Sequence, residues 1–129
     1  MKKINLLSAL FIIVSTFYTL AYANVIGKPE FQWPFSTHDF GKIKKGIPVT
    51  VAFKFTNIGK ESLMISEAKA GCECTTANFT REPIAPGKNG QILITYNAAT
   101  SGKFSKIVSV TSNASDLPQE LTISGEVIE

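Results

Sequence analysis

The sequence predicts an all-β fold, namely an immunoglobulin-like β-sandwich of about seven short antiparallel strands. Three observations support this prediction. Apolar and polar residues alternate along several segments, turn signals recur about every ten residues, and no segment after the N-terminal apolar run has a helical period. A small β-barrel would have the same features, and the number of strands does not distinguish the two.

The clearest strand covers residues 49–56, where Val and Phe at odd positions alternate with Thr, Ala and Lys at even positions. Asn57-Ile58-Gly59-Lys60 ends this strand as a turn. An earlier strand is expected around Phe40, and later ones start at residue 63 and cover residues 92–96, 104–111 and 121–127. The apolar positions of these strands form the predicted core: Phe40, Val51, Phe53, Phe55, Ile65, Ile94, Tyr96 and Val110.

The N-terminus has the layout of a secretory signal peptide. Lys2 and Lys3 precede an apolar run over residues 6–20, and Ala21-Tyr22-Ala23 follows directly as a cleavage site. The run is short for a membrane anchor, so we expect cleavage after residue 23. The predicted organisation is therefore a signal peptide at 1–23, a lead-in at 24–34 and the sandwich domain at 35–129, exported to the periplasm or outside the cell.

The lead-in at 24–34 has two interpretations. It is either a flexible segment or part of an additional strand through Phe31, Trp33 and Phe35. In the second case Pro34 would confine the strand to the edge of a sheet, because proline has no amide hydrogen for a ladder.

Charge excludes one class of function. The formal net charge is +3, and Lys2 and Lys3 of the signal peptide account for most of it. The small cluster of Lys42, Lys44 and Lys45 flanks Gly46, as expected for a solvated turn. The sequence has no long basic stripe interleaved with aromatic residues, so we do not expect nucleic-acid binding.

The only two cysteines, Cys72 and Cys74, form the candidate site. Alternate residues of an extended strand lie ~6.6 Å apart at Cα, which is wider than a relaxed disulfide prefers. A bend at Glu73 would allow a tight disulfide. Because so short a loop stabilises the fold little, this disulfide would have a redox role more than a structural one. Two thiolates would also suit copper as Cu(I). The plain alternative is that the cysteines are small fillers near a strand end.

No catalytic set is evident. His38 and Asp39 are neighbours, and adjacent residues of a strand face opposite ways. His38 and Met64 are the other soft-metal ligands after the signal peptide, and nothing in the sequence brings either to the thiols. Glu73 would raise the pKa of a neighbouring thiol, which argues against an activated nucleophile. We therefore expect a protein that is not an enzyme and has no cofactor apart from the copper alternative.

An ordered series of short motifs resembles a known family. The series is Asp39-Phe40-Gly41, Phe53-x-Phe55-x-Asn57-x-Gly59, Cys72-x-Cys74-Thr75, Ile84-Ala85-Pro86-Gly87, Ser112-Asn113 and Leu121-x-Ile123-x-Gly125-Glu126-Val127. It is similar to the bacterial domain-of-unknown-function family 1573, whose fold is related to the immunoglobulin-like domains of the major sperm protein and Hydin group. One departure is Glu73, where such domains often have glycine. The resemblance implies an exported single-domain sandwich and brings no established activity.

Export, fold class and the lack of a catalytic set together favour a non-catalytic module of the bacterial cell envelope. An open sandwich has edge strands, so a still unknown envelope protein is the expected partner, bound by addition of a strand. The alternative function is thiol-based copper binding or redox chemistry at Cys72 and Cys74.

Overall fold

The computed structural model describes residues 27–129. The signal peptide predicted at 1–23 and the start of the lead-in at 24–26 lie outside the described residues. Within residues 27–129, no helix is long and apolar enough to cross a membrane.

Residues 27–129 form two four-stranded sheets and contain no helix, which confirms the predicted immunoglobulin-like sandwich. The eight strands are β1 (Phe31–Gln32), β2 (Thr37–Lys44), β3 (Val49–Asn57), β4 (Ile65–Ala70), β5 (Thr75–Phe79), β6 (Asn89–Tyr96), β7 (Gly102–Ser112) and β8 (Ser115–Ile128). The first sheet has the order β1-β3-β6-β5, and the second has the order β2-β8-β7-β4. All neighbouring strands are antiparallel except β2 and β8, which are parallel.

The alternating pattern of β3 and β6 produces the centre of the first sheet. Phe53 lies opposite Ile92 and Val51 opposite Ile94, so the odd-numbered residues of β3 and the even-numbered residues of β6 face inward together. Six of the predicted core residues are buried, whereas Phe40 and Val51 are half-buried and pack against the core from its margin. The buried members of the prediction are Phe53, Phe55, Ile65, Ile94, Tyr96 and Val110.

Two short strands refine the prediction. Phe31–Gln32 of the lead-in pairs with the end of β3, so this part of the lead-in is an edge strand that ends before Trp33 and Pro34. The Phe31 and Trp33 rings stack with centroids 5.0 Å apart, and both rings contact Phe55. The second refinement is β5, which begins directly after the cysteines and was not among the strands expected from the sequence.

The Asn57 side chain links the end of β3 to neighbouring segments by hydrogen bonds. Its side chain is fully buried and accepts hydrogen bonds at Oδ1 from the amides of Glu30 and Gly59, at 3.2 and 3.0 Å. Its Nδ2 donates to the carbonyls of Glu61 and Ile84, at 2.7 and 2.9 Å. The residue read from the sequence as a turn former is therefore a fully satisfied buried polar group.

Gly59 is required at this junction by a close approach of two chain segments. A Cβ atom there would lie 2.6 Å from the amide nitrogen of Glu30 and would also collide with the carbonyl of Lys28. Both obstacles are main chain and cannot rotate away, so the Asn57-x-Gly59 spacing is explained by packing.

Candidate functional site

The turn at residues 71–74 joins two edge strands that belong to different sheets. Strand β4 ends at Ala70 on the edge of the second sheet, and β5 begins at Thr75 on the edge of the first. The amide of Asn97, just after β6, donates to the carbonyl of Cys74 at 2.9 Å and anchors the end of the turn. The cysteines therefore lie where the chain crosses between the sheets, at one side of the sandwich.

Cys72 and Cys74 are joined as a disulfide, with Cα atoms 5.3 Å apart. That separation is shorter than the ~6.6 Å of an extended strand, so the bend expected at Glu73 is present. Both cysteines are half-buried, and Glu73 between them is exposed. Cys74 also packs against the core, as the filler alternative required, so the geometry combines packing with a disulfide between two half-buried residues.

Thr75 is the residue beneath the disulfide. It is only 3% exposed, and its Oγ1 lies 3.7 Å from Cys72 Sγ and 3.6 Å from Cys74 Sγ. Its amide donates to the carbonyl of Cys72 at 3.4 Å. Among residues 27–129 the hydroxyl has no hydrogen-bond partner other than these two sulfurs. A buried donor is thus aimed at the sulfur pair.

A groove of about 490 Å³ opens beside Cys74. Its wall includes Tyr96, Lys103 and Lys106, and none of its lining residues is acidic. Lys106 has the inward parity of Phe104 and Val108 on β7 and is half-buried. Ala70 lies opposite Val108, so continuing this register brings Cys72 opposite Lys106. The disulfide therefore borders a groove that carries positive charge.

The structure does not bring the other candidate metal ligands to the thiols. His38 lies on β2, at the opposite edge of the second sheet from β4, and its ring contacts Phe40 edge-on with centroids 4.6 Å apart. Met64 lies outside the strands and is half-exposed. Residues 27–129 contain no group of three or more His, Cys, Asp or Glu side chains placed to hold a metal. Copper would have to bind the two thiolates alone, and it stays a prediction.

The sheet edges differ in how well they are protected. Strand β2 carries Asp39 and Lys42 around a bulge, and β4 carries Glu67 and Lys69 with its own register shift. Charges and bulges are the usual protection of an edge against unwanted pairing. The open part of β3 contains Lys54.

Strand β5 itself has neither a charge nor a bulge, and the nearest charge is the Arg81 guanidinium, 4.7 Å from the centroid of the Phe79 ring at its end. Its sequence Thr-Thr-Ala-Asn-Phe is uncharged, and its register with β6 is continuous. The bonds from the Asn97 amide to Cys74 and from the Thr80 amide to Gln91 fix which residues face β6. By the alternation of an antiparallel ladder, the main-chain groups of Ala77 and Phe79 point to the open side.

Sequence reasoning found the cysteines but not the residues around them. Thr75 follows Cys74 directly, and the inward alternation of Thr75, Ala77 and Phe79 was a readable strand signal. Lys106 had no such signal, because a lysine at an inward position looks like an ordinary interruption of the strand pattern.

Comparison with solved structures supports the fold. A protein of unknown function from Porphyromonas gingivalis aligns with a TM-score of 0.64 and 19% identity, over 78% of this chain and 46% of that one. The PapD-like (ASH) domain 7 of human CEP192 aligns with a TM-score of 0.61 and 13% identity, over 79% of this chain and 86% of that domain. The VesB protease of Vibrio cholerae aligns with a TM-score of 0.59 and 12% identity, over 90% of this chain and 36% of that chain.

This chain therefore spans less than half the length of the Porphyromonas protein. At these identities the likeness concerns the sandwich fold alone. No curated protein matches the sequence. The family model described as "Protein of unknown function (DUF1573)" matches residues 31–127, nearly all of the described part of the chain. The chain therefore belongs to the DUF1573 family.

Proposed function

We propose that this protein is a non-catalytic, exported module of the bacterial cell envelope that binds a partner protein by adding a strand to β5. The observation that carries the proposal is the edge of β5, which has no charge or bulge of its own, whereas β2 and β4 carry both and β1 is only two residues long. In strand addition the main chain supplies affinity and alternate side chains supply specificity.

The faces of β5 define the partner segment. Ala77 and Phe79 face the core side, whereas Thr76 and Asn78 are exposed on the outer face. A strand added beside β5 would continue both faces. The partner segment is therefore extended, with apolar side chains alternating with polar ones and without proline at positions that donate to β5.

A pair of photoreactive substitutions tests this proposal. A photoreactive residue at Asn78 should give a discrete protein adduct in living cells, because this side chain borders the open edge. The same residue at Ser66, exposed on the charged edge β4, is the matched control. Equal adducts at both positions, or no adduct at Asn78, would contradict the proposal.

Ala77→Pro tests whether the adduct depends on main-chain pairing. The amide of Ala77 points to the open side, so proline removes a donor for the partner without removing a β5–β6 bond. We expect the adduct at Asn78 to disappear while circular dichroism stays that of a folded sandwich. An adduct that survives in the folded variant would show that binding does not use this edge.

Export is tested separately by expressing the whole chain and fractionating the cells. We expect the protein outside the cytoplasm, with a mass lacking residues 1–23. Full-length protein in the cytoplasm would contradict the envelope assignment and leave the β5 experiment to be interpreted alone.

A further inference from the structure

We propose that Cys72 and Cys74 form a thiol–disulfide exchange site whose substrate is a dithiol of another protein, with the Thr75 hydroxyl stabilising the thiolate that leaves. Each protein molecule oxidises one substrate dithiol, so the exchange is stoichiometric and compatible with a non-catalytic module, and it is independent of strand addition at β5.

The disulfide contributes little to the fold, so it can open without unfolding the domain. It closes a loop of only three residues, and the stabilisation expected from chain entropy grows with the length of the loop. The sheets on both sides of the turn are held by continuous ladders, β5 with β6 and the end of β4 with β7. Both cysteine residues are only half-buried, which a structural disulfide does not require.

Thr75 supplies the chemistry that distinguishes an exchange site from a passive disulfide. A thiolate is the leaving group in exchange, and a thiol with a lower pKa leaves faster. The Thr75 hydroxyl is buried within 3.7 Å of Cys72 Sγ and has no other partner among the described residues. When the disulfide opens, this hydroxyl donates to the sulfur that acquires the negative charge, and hydrogen bonds to charged groups are the stronger ones.

The groove supplies access and positive charge. Cys74 forms part of its wall, so an incoming thiol reaches Cys74 Sγ from this side. Lys106 faces inward opposite the position of Cys72. Lys103 also borders the groove, but by the alternation of β7 its side chain faces the other side of the sheet, where it lies opposite Glu126. Positive charge near a thiolate stabilises it.

Two carboxylates lie near the site and oppose this effect weakly. Glu73 is exposed between the cysteines, where water screens its charge. Glu129 contacts Ser101 on the groove wall but is also paired with Lys45.

The reaction balances as a two-electron transfer. A thiolate of the substrate dithiol attacks Cys74 Sγ, a new bond forms between the substrate sulfur and Cys74, and the Cys72–Cys74 bond breaks with its electron pair going to Cys72. The second substrate thiol then attacks the substrate sulfur of this mixed disulfide and releases Cys74. The substrate leaves as a disulfide, and its two protons end on Cys72 and Cys74.

Reduction kinetics with dithiothreitol test the proposal on the folded protein. We expect Thr75→Val to slow the reduction about five- to tenfold, because it removes the hydroxyl and keeps the shape of the side chain. Thr75→Ser retains the hydroxyl and should restore most of the rate. In the reduced protein, Thr75→Val should move the pH profile of alkylation to higher pH, a change that a purely structural role would not produce.

Further variants test the role of positive charge and the choice of the sulfur that is attacked. Lys106→Gln should slow reduction by a charged thiolate several-fold, whereas Lys54→Gln on the outer face of the first sheet should have no effect. Cys72→Ser leaves Cys74 in the groove, and its thiolate should attack a peptide disulfide, form a mixed disulfide and release the other half as a thiol faster than Cys74→Ser does. Three results would each overturn the proposal: a disulfide that dithiothreitol reduces only after unfolding, an unchanged rate and pH profile in Thr75→Val, or free thiols in protein purified without reductant.

Discussion

Asn57 and Thr75 are both buried polar residues at the boundary between a strand and a loop, but their hydrogen-bond partners differ. The Asn57 side chain makes four hydrogen bonds of 2.7–3.2 Å, all to main-chain atoms. Within residues 27–129, the Thr75 hydroxyl has only the two sulfurs of the disulfide as partners, at 3.6 and 3.7 Å. Main-chain partners are permanent, whereas the partners of Thr75 change their charge and hydrogen-bonding capacity when the disulfide opens.

The comparison separates a structural use of a polar group from a chemical one. A fully satisfied network fixes one conformation, because any rearrangement leaves a buried group without a partner. The turn above Thr75 can accommodate two states of its sulfurs at little cost to the sheets. The sandwich is therefore expected to be rigid around Asn57 and adaptable around Cys72 and Cys74.

Asn57→Ala has the largest expected effect on this comparison. It removes the partner of the Glu30 and Gly59 amides and of the Glu61 carbonyl, whereas the Ile84 carbonyl still accepts from the Leu63 amide. We expect a loss of about 3 kcal/mol or more in the free energy of unfolding. Urea unfolding measures this value. The control is Asn89→Ala, which removes an exposed bond to Thr56 and should change stability by less than about 0.5 kcal/mol. Similar losses of stability in Asn57→Ala and Asn89→Ala would contradict a structural role for the Asn57 side chain.

Replacing both cysteines by serine should have a smaller effect. A three-residue loop gives an expected loss of only about 1.5 kcal/mol from chain entropy, well below the effect at Asn57. Thermal unfolding of the double variant beside Asn57→Ala provides the measurement. If the double variant fails to fold, the disulfide is required for the structure, which would contradict its use as an exchangeable bond.

Thr75→Val should be close to neutral for stability. The hydroxyl's partners among residues 27–129 are disulfide sulfurs, which are weak acceptors and lose little when the donor is removed, so we expect a change within about 0.5–1 kcal/mol. Equilibrium unfolding of the oxidised protein checks this. A loss as large as that of Asn57→Ala would mean that Thr75 is a structural residue like Asn57.

The smallest effect concerns Glu129, at the end of the chain. The hydrogen bond from Ser101 at 2.8 Å, together with the charge of Lys45, lowers the pKa of this carboxyl. Because its pKa is lowered in the folded state, this carboxylate stabilises the folded protein at pH values above its unfolded-state pKa. The stabilisation is lost as the pH falls through the folded-state pKa. Carboxyl NMR titration should give a midpoint below that of an ordinary glutamate, and Ser101→Ala should raise it. An unchanged midpoint in Ser101→Ala would assign the shift to Lys45 alone.

The sequence predicted those parts of the fold that depend on local pattern. Alternation located β3 and β6 and the buried face of each, and the turn signals indicated a sandwich. Pattern does not identify partners, so it could not reveal that β2 pairs with β8 in parallel or that β5 pairs with β6. The pairing of strands depends on packing over the whole chain.

The candidate site was only half predictable for the same reason. Spacing alone showed that Cys72 and Cys74 need a bend to form a disulfide. The position of Lys106 beside them depends on the register between β4 and β7, which are separated by more than thirty residues along the chain. The role of Asn57 was missed because an Asn-x-Gly sequence normally indicates an exposed turn.

The disulfide is expected to open while the sandwich stays folded, and alkylation followed by intact-mass measurement tests this most directly. Protein purified without reductant is treated with an alkylating reagent in native buffer, before and after exposure to dithiothreitol, while circular dichroism monitors the fold. We predict no label before reduction, labels on both Cys72 and Cys74 after it, and an unchanged spectrum. Labelling before reduction, or labelling only together with unfolding, would contradict the account.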